Sequence, residues 1–267
     1  VQVLYVVPSF YRGRPSIGVT TWLYRICIYI IALVRSNMCK SVIHQLNRKV
    51  IMNILITGGA GYIGSVVATQ LLEADHNLIV LDNLSQGHEA AIPKGVRFIK
   101  ADIAEVSSHI TPDDHIEAVL HFGGLIAAGE SVIKPELYWH NNMVGSLRLL
   151  ETMRVLNIKK LIFSSTAAVY GNPVHIPITE ADPKDPTSPY GMSKLAVDMA
   201  IGSECVAHGL AATSLRYFNV AGAYKNCGEG HNPETHIIPL ALAAAAQQTP
   251  LYLFGNDYPT DDGTCVR

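Results

Sequence analysis

The stretch Asn53-Ile54-Leu55-Ile56-Thr57-Gly58-Gly59-Ala60-Gly61-Tyr62-Ile63-Gly64 decides the fold. Its first five residues form a short apolar run, the pattern of a strand buried on both faces. A glycine cluster follows. From Tyr62 to Ala74 the apolar residues then recur at helical spacing. Gly58, Gly61 and Gly64 satisfy GxxGxxG, and Gly59, Gly61 and Gly64 satisfy GxGxxG. Glycines there permit a tight turn and let backbone N–H groups approach a pyrophosphate. The helix N-terminus adds about half a unit of positive charge. A glycine motif alone is weak, but one between a strand and a helix, opening a βαβ unit, marks a dinucleotide site.

Working outward, further apolar runs lie at Leu78–Asp82, Val96–Lys100, Ala118–Phe122, Leu161–Ser165 and Ala211–Phe218. Between them, Pro135–Leu156 and Tyr190–His208 read as helices, the first with proline in its opening turn. Strands alternating with helices imply a doubly wound parallel sheet of the Rossmann type, because parallel neighbours need long crossovers. After Asn219 the alternation weakens. Residues 222–235 are polar, Ile237–Gln248 reads as an apolar helix, Leu251–Phe254 as a short strand and 256–263 as turns. The expected organisation is an N-terminal extension at 1–51, an NAD-binding domain at 52–220 and a partial, incomplete substrate-binding region at 221–267.

The chain has 267 residues, 49% of them apolar and 16% charged, with a net charge of −2. Apolar content near half excludes a disordered chain, and near-neutral charge argues against a nucleic-acid partner. The average hides a split. Seven of the 20 basic residues fall in residues 1–51, which contain no Asp or Glu, and the other 13 share residues 52–267 with all 22 acids. The extension peaks in hydropathy at Cys27–Val34. Counted from Val19 and interrupted by Arg25, that run is shorter than the roughly 20 residues that cross a bilayer. It reads either as upstream sequence from a misplaced start or as a targeting segment. A membrane partner is expected only if residues 1–51 are genuine. Five cysteines without CxxC spacing show neither a disulfide framework nor a metal site, and suggest a reducing, cytoplasmic compartment.

Asp82 ends the second run, where a carboxylate can accept both ribose hydroxyls and would repel a 2′-phosphate. With no arginine in Asn83-Leu84-Ser85-Gln86, NAD is favoured over NADP. Asp102 reads either as a partner of the adenine amino group or as a helix cap. Tyr190-Gly191-Met192-Ser193-Lys194 places a phenol and an ammonium one helical turn apart. The ammonium should lower the phenol from its usual pKa of about 10, so that it can take a proton from an alcohol as hydride leaves the carbon. Thr166 directly follows the fifth run, at the sheet edge where ligands bind in such folds.

From Met52 to Arg267 the chain resembles the extended short-chain dehydrogenase/reductase family, and within it the nucleotide-sugar 4-epimerases. The stretches that carry the resemblance include MNILITGGAGYIGS, HFGGLIAAGESV, NNMVGSLRLLE, FSSTAAVYG, SPYGMSK, LRYFNVAGA and FGNDYPTDDGTCVR. It implies reversible 4-epimerisation of UDP-glucose and UDP-galactose, in galactose metabolism, through a 4-keto sugar and tightly held NAD. It also implies a homodimer formed through the helices near 135–156 and 190–208. Tyr190 would be the acid/base, Lys194 its partner and a ribose ligand, and Thr166 the hydroxyl that orients substrate and Tyr190. Tyr62 and Ile63 would contact the pyrophosphate. Asp82 and Asn83 would face the ribose, Asp102 and Ile103 the adenine, Phe122 and Asn141 the cofactor cleft, and Phe218 the nicotinamide. Asn219, His236, Tyr252, Phe254 and Arg267 would fall on the UDP side.

Two departures matter. Where the family often has a lysine this chain has Ile126, which is expected to weaken NAD retention unless another residue supplies the contact. The family chain continues past Arg267, so very low turnover by residues 1–267 is expected. Ala167 and Ala168 stand where dehydratases and decarboxylases carry acids, which favours epimerisation. An epimerase for another UDP-sugar, an inactive NAD-binding fragment and a chain with no stable fold remain alternatives.

Overall fold

The six apolar runs between Asn53 and Phe218 all form strands, with bounds within one residue of expectation. The computed structural model describes residues 6–10, 51–231, 234, 236–252, 255–258 and 260–263. The strands are β1 (Val6–Phe10), β2 (Asn53–Thr57), β3 (Asn77–Asp82), β4 (Arg97–Lys100), β5 (Ala118–His121), β6 (Lys160–Thr166) and β7 (Ala211–Tyr217). They form one sheet in the order β1-β7-β6-β5-β2-β3-β4. The six strands β2 to β7 are parallel to one another. β1 was not expected. It pairs antiparallel with β7, from Val6↔Tyr217 to Phe10↔Thr213, and so covers an edge whose N–H and C=O groups β6 cannot reach.

The helices are α1 (Tyr62–Glu73), α2 (Ala128–Ile133), α3 (Pro135–Tyr138), α4 (Gly145–Val155), α5 (Pro189–His208) and α6 (Ile237–Gln247). The long helix expected over 135–156 is interrupted. A π-helical segment, Trp139–Val144, joins α3 to α4. α2 was also missed, because a six-residue helix is too short to show a period. Leu251 and Tyr252 are not in a strand. The apolar run 27–34, Phe254 and Arg267 lie outside the described residues. Among the described residues, no helix is long and apolar enough to cross a membrane.

Two apolar layers hold the sheet. One packs Leu149, Met153, Val197 and Ile201 of α4 and α5 against Leu55, Val119, Leu161 and Phe163. The other packs Val67, Ala68 and Leu71 of α1 against Ile54, Ile56, Val80 and Leu120. α5 starts where local chemistry dictates: the Ser188 hydroxyl accepts from Gly191 N and Pro189 takes the first turn. It stops at Gly209, whose φ of 68° is left-handed.

β2 and β5 stay paired to their last residues, Thr57 and His121, and the crossovers beyond them leave toward opposite sides, which opens a crevice at their carboxyl ends. The sheet core beneath it is fully buried at Leu120. Leu120→Ala should cost about 2–5 kcal/mol of unfolding free energy in a denaturant titration. The same change at exposed Val174 should stay within about 0.5 kcal/mol.

Candidate active site

The glycine loop follows β2 directly. Gly58 has φ of 72°, and a Cβ there would overlap the backbone of Gly123 beyond β5. A Cβ on Gly64 would overlap the Gly58 carbonyl. The loop and the first turn of α1 therefore close on each other with no side chain between them. α1 begins at Tyr62 with no side-chain cap and no acid in its first turn, which leaves N–H groups facing the crevice.

Asp82 ends β3, and its carboxylate is already engaged. Oδ2 accepts from Ala60 N at 3.0 Å and Oδ1 from Leu84 N at 2.8 Å. The same residue offered for ribose thus also holds the glycine loop, and each oxygen keeps a lone pair for a second donor. Asn83 Nδ2 donates to Asp102 Oδ2 at 3.0 Å. Asp102 Oδ1 caps the 3-10 helix Ile103–Ser108 by accepting from Ala104 N at 2.9 Å. Capping is thus one role of Asp102, and its side-chain pairing with Asn83 keeps both residues at the β3–β4 edge. The Ile103 side chain packs into the core, which leaves its backbone facing that edge.

From the glycine loop the crevice continues along Phe122, Gly123 and Gly124 to Lys194. The space a Cβ of Gly124 would take lies 3.1 Å from both Lys194 Nζ and Asn142 Oδ1. Lys194 is buried, and its ammonium donates to Ser164 O at 3.0 Å and sits 5.0 Å from the Phe163 ring centroid. The Tyr190 phenol lies beside the Thr166 hydroxyl, which accepts from Ala168 N at 3.1 Å. The Tyr138 ring meets Tyr190 edge-on at 6.3 Å. Tyr190, Lys194 and Thr166 are thus brought together at the carboxyl end of β6.

The expected electrostatics need correction. Burial pushes the Tyr190 phenol up, opposed by the neighbouring Thr166 hydroxyl. Burial also pushes Lys194 down to about 8, partly offset by Asp198. Lys194 does not offset the burial of Tyr190 here, because its ammonium is turned onto the Ser164 carbonyl.

Two features escaped the sequence. Asn142 is buried, with Oδ1 accepting from Leu125 N at 2.8 Å and Nδ2 donating to Leu125 O and Ser193 Oγ. Its neighbour Asn141, assigned to the cofactor cleft, is half-buried. An i→i+5 turn holds one residue more than an α-turn, so the faces read from a 3.6-residue period shift by one position. The second feature is His121. Ser146 Oγ donates its only proton to Asn142 O, so it accepts from His121 Nε2–H at 2.8 Å. His121 Nδ1 then accepts from Thr57 Oγ1, also at 2.8 Å. This chain ties the last residue of β2 to the π-helical segment beneath the crevice.

The expected substrate side is less assembled. Phe218 is half-buried just past β7, and Asn219 is exposed. His236 precedes α6, and Tyr252 is 73% exposed. Residues 222–231 leave the sheet and fold onto α1, with Tyr62 OH donating to Gly222 O at 2.6 Å and Tyr224 OH to Glu73 at 2.7 Å. Burial and the nearby Glu229 push the Tyr62 phenol up to about 12. Ile63 packs against the α1 side of the core, and Ile126 is exposed. Glu229, His231 and His236 bring metal-ligating atoms within 4.8 Å, which no spacing in the sequence announces. Carboxylates engage both imidazoles, Glu229 that of His231 and Glu234 that of His236.

Burial and the Lys194 charge lower the His121 pKa from 6.5 to about 3. The unfolded chain then binds the proton more readily, so stability is full above pH 6.5 and falls as pH drops toward 3. The slope is about 1.4 kcal/mol per pH unit. Between pH 7 and 5 this group should remove about 2 kcal/mol in urea titrations. His121→Asn should lose correspondingly less over the same interval.

The family described as the NAD dependent epimerase/dehydratase family matches residues 54–267. A UDP-glucose 4-epimerase of Corynebacterium glutamicum is 50% identical over 217 residues, covering 81% of this chain and 66% of the relative. One from Lacticaseibacillus casei is 47% identical over 221 residues, covering 81% and 67%. Among solved structures, UDP-glucose 4-epimerase from Brucella ovis in complex with NAD superposes with a TM-score of 0.75 at 40% identity, over 79% of this chain and 66% of that one. The Bifidobacterium longum enzyme, in complex with NAD+ and UDP, gives 0.71 at 35%, over 79% and 68%. The chain thus spans about two thirds of the length of these relatives. Because the family match spans most of the chain, this chain belongs to the NAD dependent epimerase/dehydratase family.

Proposed function

We propose that the chain binds NAD across the carboxyl edge of the sheet and belongs to an enzyme that interconverts UDP-glucose and UDP-galactose through a 4-keto sugar. The observation that carries this reading is the unbroken line from the glycine loop, past Gly123 and Gly124, to Lys194, Tyr190 and Thr166. The pyrophosphate would meet the uncapped first turn of α1, and Asp82 and Asn83 the adenosine ribose. Lys194 would hold the ribose at the nicotinamide end. NAD, when bound, supplies the acceptor and donor of the sugar C4 hydride. Tyr190 takes the proton of the C4 hydroxyl and later returns it. Thr166 fixes the direction of the phenol. Ala167 and Ala168 carry no proton-transferring group beside it, which favours epimerisation over elimination. The UDP-glucose 4-epimerases among the relatives support the choice of substrate.

The same reading includes a homodimer and a cytoplasmic setting. Leu147 and Val155 of α4, with Met192, Met199 and Val206 of α5, expose apolar side chains suited to a second copy. Buried free Cys205 and Cys227 suit a reducing compartment.

NAD+ at 100 times its Kd should stabilise the folded chain by about 2.7 kcal/mol, read as an upward shift in melting temperature. NADP+ at equal concentration should shift it far less, and Asp82→Asn should narrow that difference. UDP-galactose added to the NAD-loaded chain should produce absorbance at 340 nm that Tyr190→Phe abolishes. A folded chain that NAD+ does not stabilise would overturn the proposal.

A further inference from the structure

Behind Tyr190 and Lys194 lies a buried polar network whose inner members, Asp198, Arg216 and Ser165, take no part in the reaction above. Tyr190, Lys194 and Asp198 lie four residues apart along α5 and so share one face. Each meets a successive residue at the tip of β6. Tyr190 meets the Thr166 hydroxyl, Lys194 the Ser164 carbonyl, and Asp198 Oδ2 accepts from Ser165 Oγ at 3.1 Å. The same Oδ2 accepts from Arg216 of β7, from Nε at 3.3 Å and Nη2 at 3.2 Å. Arg216 Nη1 continues to Tyr170 OH at 2.8 Å, in the 3-10 turn that follows Thr166. Asp198, Arg216 and Ser165 are each 2% exposed or less.

We propose that Asp198 is the positioning residue of the Tyr190–Lys194 pair, locking α5 to Ser165 so that the flanking Ser164 carbonyl and Thr166 hydroxyl meet the ammonium and the phenol. A buried ion pair adds little net stability over well-packed apolar residues. Its value here lies in geometry. The carboxylate ties one helix to two strands at the point where the contacts to Ser164, Ser165 and Thr166 must hold register together. It also sets charge. Lys194 faces Tyr190 and Asp198 on its own helix, the Ser164 carbonyl on β6, neutral His121 on β5 and Asn142 on the π-helical segment, with Arg216 of β7 behind Asp198. Asp198 is the only carboxylate among these groups and the one that favours a protonated Lys194.

The inference rests on the proposed NAD reading, and the test separates the two. NAD+ affinity of the 1–267 chain is measured by calorimetry from pH 6.5 to 9, with melting temperatures recorded alongside. Asp198→Asn should weaken binding about tenfold at pH 7.5 and move the alkaline loss of binding about one pH unit lower, because Lys194 then loses its proton earlier. Asp198→Glu should restore the pH midpoint. Ser165→Ala, which removes one link and no charge, should melt within a few degrees of the parent and bind about threefold more weakly. A purely structural Asp198 would lower the melting temperature and leave the pH midpoint in place. Parental affinity and midpoint in folded Asp198→Asn would overturn the inference, as would parental affinity in Ser165→Ala should Asp198→Asn fail to fold. A parent chain that binds no NAD+ would instead overturn the functional reading itself.

Discussion

The site depends on the close approach of two backbones just beyond the carboxyl ends of β2 and β5. Gly58 and Gly123 occupy space that a Cβ on Gly58 would fill, and Gly64 brings α1 onto the same loop. At positions 58 and 64 only a residue without a side chain satisfies this contact. Once it exists, the crevice is lined by backbone, its floor is the sheet, and its two ends are the acids after β3 and β4 and the phenol and ammonium of α5. Asp82 reinforces the arrangement by accepting from Ala60, so the residue at the adenosine end also holds the loop at its centre.

Beneath that surface, polar groups are buried at a cost that packing alone would not impose. His121 has lost any tendency to charge, and both ring nitrogens are used to join β2, β5 and the π-helical segment. Asp198 and Arg216 are buried as a pair, and a single carboxylate oxygen, Asp198 Oδ2, accepts from both Ser165 and Arg216 at the strand tip. Removing one partner of such a pair costs about 3–5 kcal/mol, because the other is left charged in the interior. Both networks converge on the same edge of the sheet, one below the glycine loop and one behind Tyr190.

Much of this was legible in the chain. The six parallel strands, α1 and α5 show in short apolar runs and helical periods, because burial on both faces of a parallel sheet writes itself as continuous apolar sequence. Tyr190, Lys194 and Thr166 were legible as a spacing and a strand end. The interruption of 135–156 was not, since a π-turn changes residue count without changing composition. The networks of His121 and Asp198 were also hidden. His121 bonds Thr57 across 64 positions and Asp198 bonds Ser165 across 33. No local pattern announces a partner so far away.

By itself the sequence determined the βαβ order, the glycine turn and the residues able to move a proton, because these depend on local sterics, periodicity and side-chain chemistry. Tertiary structure alone decided that Asn142 turns inward beside Asn141, that β1 closes the β7 edge and that the 222–231 segment folds onto α1. It also decided that burial, more than the neighbouring ammonium, governs the Tyr190 phenol. Each of these outcomes follows from which distant groups share a low-dielectric interior, and only the assembled fold specifies that.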